Sequence, residues 1–208
     1  MRKLVFFLLI VLSLSLIELS EKLLDTQQLV YSSLSEQLTK ERLTTQIKVI
    51  NEWKLIRYFL IPFLLIIKVS LIAAIIDMGC FLFNKKIRYK NLLNIVIKAE
   101  FIFLIVIVIK IAWFCFFHTD FILEDLQYFY PLSAINILDY QQLDPWWIYP
   151  LQMLNLFELA YWFTLAYLIG KEIGDTVSTK GLQIVASSYG VSLVIWVVVV
   201  MFLTINIS

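Results

Sequence analysis

Long apolar runs separated by short polar breaks dominate the chain from residue 55 onward. The runs at 55–83, 92–117, 148–169 and 182–203 each reach the ~20 residues that a helix needs to cross a bilayer. Lipid offers no partner to a backbone N–H or C=O, so runs of this length predict helices that satisfy their own polar groups. Pro62 is expected to kink the first of these four near its outer end. A shorter run at 4–17 follows Arg2 and Lys3. Its length suits a signal-peptide core, but no A-x-A-like cleavage site comes after it, so an uncleaved signal anchor acting as a first span is expected.

Residues 18–54 break the pattern. Six acids and five bases are mixed there without Gly or Pro, and Leu23, Val30, Leu34, Leu38, Ile47 and Ile50 recur at roughly helical spacing. If 4–17 crosses the membrane, the chain must double back in this stretch. Ser33-Leu34-Ser35-Glu36 has the form of a capping box that starts the returning helix. The expectation is a helical hairpin at the outer surface, whose apolar stripe packs on the membrane or binds a membrane or periplasmic protein partner.

Charge then assigns sides. The loop 84–91 carries Lys85, Lys86, Arg88 and Lys90, and the positive-inside rule makes it cytoplasmic. Residues 118–147 hold no Lys or Arg but five acids, Asp120, Glu124, Asp125, Asp139 and Asp144, which places them outside. The turn 170–181, with Lys171 and Lys180, returns to the cytoplasm. The predicted fold is therefore all-α, a polytopic bundle of about five spans with N-terminus in and C-terminus out. Its parts are 1–17 as anchor, 18–54 as extracytoplasmic hairpin, and 55–205 as a four-span domain with an interfacial segment at 118–147. Within that segment, 132–138 predicts a short helix lying at headgroup level beneath an aromatic belt. Composition agrees: 61% of the 208 residues are hydrophobic and 16% charged, against about 45–50% and about 25% in soluble domains. A net charge of +1 gives no case for nucleic acid as a partner.

Ionisable groups within the apolar runs cost several kcal/mol each and call for partners. Counted from the outer boundaries, Lys68, Lys110 and Glu158 lie about 11, 8 and 10 residues deep, or roughly 12–17 Å. They are expected to meet at one level, with Asn155 and Tyr161 as polar neighbours and an anion as a further counter-charge. A second level nearer the cytoplasm is expected for Asp77, Lys98 and Glu100, with Asp77 and Lys98 side by side in an antiparallel hairpin. The bland explanation for all six charges is pairing or snorkelling that locks the helices together.

Catalytic and cofactor motifs are absent from the sequence. His118 is the single histidine, and with Asp120 it makes no metal site, which needs three or four ligands. Cys80 and Cys115 fall near opposite membrane faces, too far apart for a disulfide. Gly170-Lys171-Glu172-Ile173-Gly174 has G-x-x-x-G spacing but reads as helix termination. Ser187, Ser188 and Gly190 are small enough for close helix contact.

Pro131-Leu132-Ser133 with Asn136, then Leu154-Asn155-Leu156-Phe157-Glu158, then the polar turn 170–181, together resemble the bacterial branch of the Yip family, the Ypt/Rab-interacting integral membrane proteins. The resemblance covers about 150 residues from Leu55 to Leu203. It implies a five-span fold and a membrane-organising role in a bacterial inner membrane, not a reaction. The expected function is a non-enzymatic organising or accessory subunit without catalytic residue, cofactor or metal. The alternative is a permease or channel component using the Lys/Glu level. A lack of broken helices in the sequence pattern counts against that alternative.

Overall fold

A computed structural model of the chain describes residues 2–37, 39–138, 142–175 and 179–207. Asp139, one of the five acids of the interfacial segment, lies outside the described residues. The fold is all-α, with no strand among the described residues. The first apolar run extends into α1 (Arg2–Leu23), which ends at a turn where Asp25 adopts φ 42°. Helix α2 (Thr26–Gln37) follows, and α3 (Lys40–Leu82) then runs without interruption for 43 residues. Ser33 therefore sits inside α2, and the returning helix starts six residues later than the capping box implied. Thr39, extended at φ −67° and ψ 154°, precedes it.

At 1.5 Å per residue, α3 is about 65 Å long. Its apolar part begins at Ile56, so roughly 24 Å of helix stands beyond the membrane-length segment. The boundary expected at 54/55 falls within this one rod. Pro62 lies inside it without ending it.

Asn84, at φ 53°, closes α3, and the Lys85 N–H reaches back to the Cys80 carbonyl at 2.8 Å. That is how a helix ends on a left-handed residue, Asn being the usual substitute for Gly. Helices α4 (Tyr89–Ala99) and α5 (Phe101–Phe116) follow with only Glu100 between them. Together they give an apolar stretch of 28 residues. The basic loop and the acidic segment that follows α5 thus lie at opposite ends of a membrane-length helix.

After α6 (Leu123–Tyr128) the sequence predicts one more continuous span at 148–169. The structure corrects this. Two helices share the work, α7 (Pro145–Met153) and α8 (Leu156–Glu172), with a break at Leu154–Asn155. Pro150 cannot donate a backbone hydrogen bond, and α7 ends three residues after it. The short helix expected at 132–138 is also revised: a single 3-10 turn covers Ala134–Ile137. The last span is continuous in course, formed by α9 (Thr179–Val185), a π-helical turn (Ala186–Gly190) and α10 (Val191–Ile207). Among the described residues, four helices are thus long and apolar enough to cross a bilayer. The remaining expected crossing, the fourth in chain order at 148–169, is divided between α7 and α8, neither of them among those four.

Side-chain contacts fix the ends of the bundle. Arg57 bonds Glu21 and approaches Glu18, while Tyr58 donates to Glu18, so the far end of α1 sits beside α3 where its apolar part begins. Asn91 donates to Glu172 at 2.6 Å, bringing the turn after α8 to the same end as the basic loop. The core lies where α3, α4, α8 and α9 meet, around Ala73, Ile76, Val96, Leu165, Ile169 and Ile184. Close approach there depends on glycine. A Cβ on Gly181 would stand 2.1 Å from the Ala166 carbonyl oxygen, and one on Gly190 would stand 2.5 Å from the Trp162 ring. Ser188 packs against Gly79 in the same way, whereas Ser187 faces outward. Gly174, at φ 73°, terminates α8, but Gly170 is buried against Gly181 and so belongs to the packing as well.

Candidate functional site

The break between α7 and α8 is held by one residue. Asn155 is extended at φ −138° and ψ 159°, and its side-chain oxygen accepts the Glu158 N–H at 2.7 Å. Its amide nitrogen donates to the carbonyls of Gln152 at 2.9 Å and Met153 at 3.2 Å. The side chain therefore caps the start of α8 and the end of α7 at once, satisfying groups that helix ends leave orphaned. The neighbouring backbone is filled by residues 132–134. The Ala134 N–H donates to the Leu154 carbonyl at 2.9 Å, and the Leu156 N–H donates to that of Leu132 at 3.2 Å. Ser133 and Asn155 form an isolated antiparallel bridge. The two short segments that carry the sequence resemblance thus lie against one another. Leu132 adopts φ 53° to make this pairing, a conformation that costs a leucine about 1–2 kcal/mol. Replacing the buried Asn155 with Ala is expected to lower stability by about 1–2 kcal/mol, and thermal unfolding in mild detergent measures it. Asn155→Ser, which keeps a capping oxygen, should lose less.

The next polar layer is Glu158, in the first turn of α8 and 5% exposed. Its Oε1 accepts from Tyr189 Oη at 2.8 Å and from Trp162 Nε1 at 3.0 Å. The Tyr189 ring meets that of Tyr161 edge-on at 5.5 Å, and Tyr161 Oη donates to Glu100 Oε1 at 3.0 Å. Glu100, 3% exposed, also binds Lys68 Nζ through Oε2 at 2.7 Å. Lys68 lies 4.3 Å above the Phe103 ring. Two carboxylates, two tyrosines, a tryptophan and one lysine therefore form a continuous polar seam through α3, the α4–α5 junction, α8 and the π-turn.

This arrangement differs from the expected one in three ways. Lys68 pairs with Glu100 rather than Glu158, which moves Glu100 out of the second level. Lys110 leaves the cluster: its ammonium bonds the Leu126 carbonyl at 2.5 Å, one of the last carbonyls of α6. Asp77 and Lys98 are both exposed, and no ion pair joins them among the described residues. Asn155 and Tyr161 do lie beside Glu158 and Glu100 as polar neighbours, but Tyr161 serves Glu100. Tyr189 and Trp162 were missed by the sequence reading. Trp162 was in principle visible, since Glu158 and Trp162 are four apart on one helix face.

The segment after α5 satisfies its own backbone through borrowed side chains. Gln152 donates to the Tyr128 carbonyl at 3.0 Å, while Ser133 and Asn136 each donate to that of Tyr130 at 2.6 Å. Burial, with the Glu158 charge adding to it, pushes the Tyr130 phenol up to about 12. His118 approaches Asp125 at 3.9 Å rather than Asp120.

Between this segment, α5, α7, α8 and α10 lies a groove of about 1050 Å³. Its walls are mostly apolar, including Ile109, Trp113, Leu159 and Val194, and Glu158 is the one ionisable side chain lining it among the described residues. A second cleft of about 760 Å³ opens between α2 and the first part of α3, around Tyr31, Ile50 and Trp53.

Fold and polar seam together define an all-α, multi-pass membrane protein with buried carboxylates at a broken helix. The chain matches no protein-family model, no curated protein and no solved structure.

Proposed function

We propose that the protein is a non-enzymatic organising or accessory subunit of a membrane assembly, binding a membrane or periplasmic protein partner through residues 18–54. The carrying observation is the α2–α3 cleft. Tyr31, Val49, Ile50 and Trp53 are all large, apolar and exposed beyond the start of the apolar part of α3. Trp53 alone suits a headgroup anchor. Val49 and Ile50 stand six to seven residues before Ile56, where the apolar segment starts, or about 10 Å beyond it. Apolar side chains in a cleft rimmed by Glu21, Asp25 and Arg57 fit a protein surface, with a hydrophobic centre and polar rim. The role agrees with the Yip-type organising part implied by the sequence, in a bacterial inner membrane with N-terminus in and C-terminus out.

The test is recovery from membranes in mild detergent. A stoichiometric partner should accompany the wild-type chain and be lost from a Val49→Glu/Ile50→Glu variant whose abundance is unchanged. A chain that is solitary in both forms would refute the proposal.

A second reading, a permease or channel component, gains support from the α7–α8 break beside Glu158. Transporters place interrupted helices at their sites. Glu158→Gln should then abolish a flux while leaving the protein folded; loss of abundance alone would speak for a structural carboxylate.

A further inference from the structure

Three buried or mid-span charges of the seam region have their needs met within the chain. Lys68 and Glu100 neutralise one another at 2.7 Å, and Lys110 is bound by a helix-end carbonyl. Glu158 differs. Both of its hydrogen bonds, from Tyr189 and Trp162, converge on Oε1. No partner reaches Oε2 among the described residues, although the side chain is nineteen-twentieths buried and lines the groove. With Glu158 ionised, the surplus charge in the seam is negative. The anion that the sequence suggested as a counter-charge is the wrong sign of ligand for this place.

The groove around that oxygen has a particular chemistry. Its volume of about 1050 Å³ is at the upper end for small-molecule sites. Its polar side chains are Glu158, Asn155, Ser133 and Asn136, the last donating to the Tyr130 carbonyl, and the rest of the wall is mainly apolar. Leu154, Leu156, Leu159, Val194 and Val198 are each more than half exposed along it, so the groove opens sideways rather than into an end of the bundle. A site with one unpaired carboxylate oxygen and an apolar trough open to lipid selects a molecule with two unlike parts.

We propose that this groove binds an amphiphile bearing an ammonium head, whose N–H groups take Glu158 Oε2 while its hydrocarbon tail lies between α8 and α10. The ammonium supplies the counter-charge that no side chain provides. A charge-assisted hydrogen bond in a dry site is stronger than a neutral one, and the tail contributes through apolar area removed from solvent.

Dodecylammonium, dodecanoate and ethylammonium, each added to the full chain in non-ionic detergent, separate the possibilities. Thermal stabilisation and Trp162 fluorescence, assigned with Trp162→Phe, are the readouts. Saturable binding of dodecylammonium is expected, with dodecanoate and ethylammonium inert. Glu158→Gln can still accept from Tyr189 and Trp162, and it should weaken dodecylammonium roughly tenfold or more. If that variant does not fold, Val194→Trp fills the groove from an exposed position and should block binding equally. Comparable binding of dodecanoate, or an unchanged response in both variants, would overturn the site. Binding of ethylammonium as tight as dodecylammonium would overturn the amphiphile in favour of a free amine.

Discussion

Glu100→Ala is expected to be the most damaging single change of a polar residue in this protein. The carboxylate is 3% exposed and receives both Lys68 Nζ and Tyr161 Oη. Removing it leaves an ammonium in the middle of an apolar helix and a fully buried phenol without an acceptor. Breaking a buried pair from one side costs about 3–5 kcal/mol in general. Lys68 is half-exposed along its side chain, so the lower end of that range applies. At about 2–4 °C per kcal/mol for a chain of this size, the apparent Tm in mild detergent should fall by roughly 6–12 °C. The paired replacement Lys68→Met/Glu100→Leu should recover much of the loss, because it removes both charges together. If the single and double variants unfold at the same temperature, the ion pair is not what holds α3 to the α4–α5 junction.

The second large effect is steric. Gly181→Val would place carbon 2.1 Å from the Ala166 carbonyl oxygen and 3.0 Å from the Gly170 nitrogen, both backbone atoms that cannot rotate away. Helices α8 and α9 would have to separate, taking Leu165, Ile169 and Ile184 out of contact. A loss exceeding the usual 1–3 kcal/mol of overpacking is expected, read as failure to accumulate in membranes. Gly174→Ala is the matched control. It has open space around it, and its penalty comes only from the left-handed backbone, φ 73°, about 1 kcal/mol.

Most of the architecture was legible because bilayer thickness is a ruler and lysines are its markings. Runs of about 20 apolar residues permit no alternative to helices, and the clean ones at 56–82, 89–116 and 179–206 follow from that, whereas the 14-residue run at 4–17 understates a helix whose apolar part reaches from Lys3 to Leu23. The interrupted fourth run was hidden because hydropathy measures composition, and a break capped by a single Asn changes composition hardly at all. Pro150, four residues before Leu154, was the available signal. The polar seam was half legible. Depths of Lys68 and Glu100 were counted from opposite boundaries, which placed them at different levels. Counted from the same end, Lys68 is fourteen residues from Leu82 and Glu100 eleven from Tyr89, about 21 and 16 Å. A lysine side chain covers that difference. Lys110 was misplaced because a long stem lets an ammonium act several ångströms from its own Cα, and nothing in the sequence indicated that α6 would offer it a carbonyl.

A rod that leaves the bilayer without a joint behaves as a lever. Helix α3 carries Trp53 on its protruding third and Lys68 at the centre of its embedded part. A tilt of the exposed arm would move the ammonium against its carboxylate to the extent that Pro62, which lies between arm and ammonium, does not bend first. Mechanical load applied outside would then be felt as a change in polarity deep within the lipid, at the one place where α3 meets the α4–α5 junction through opposite charges.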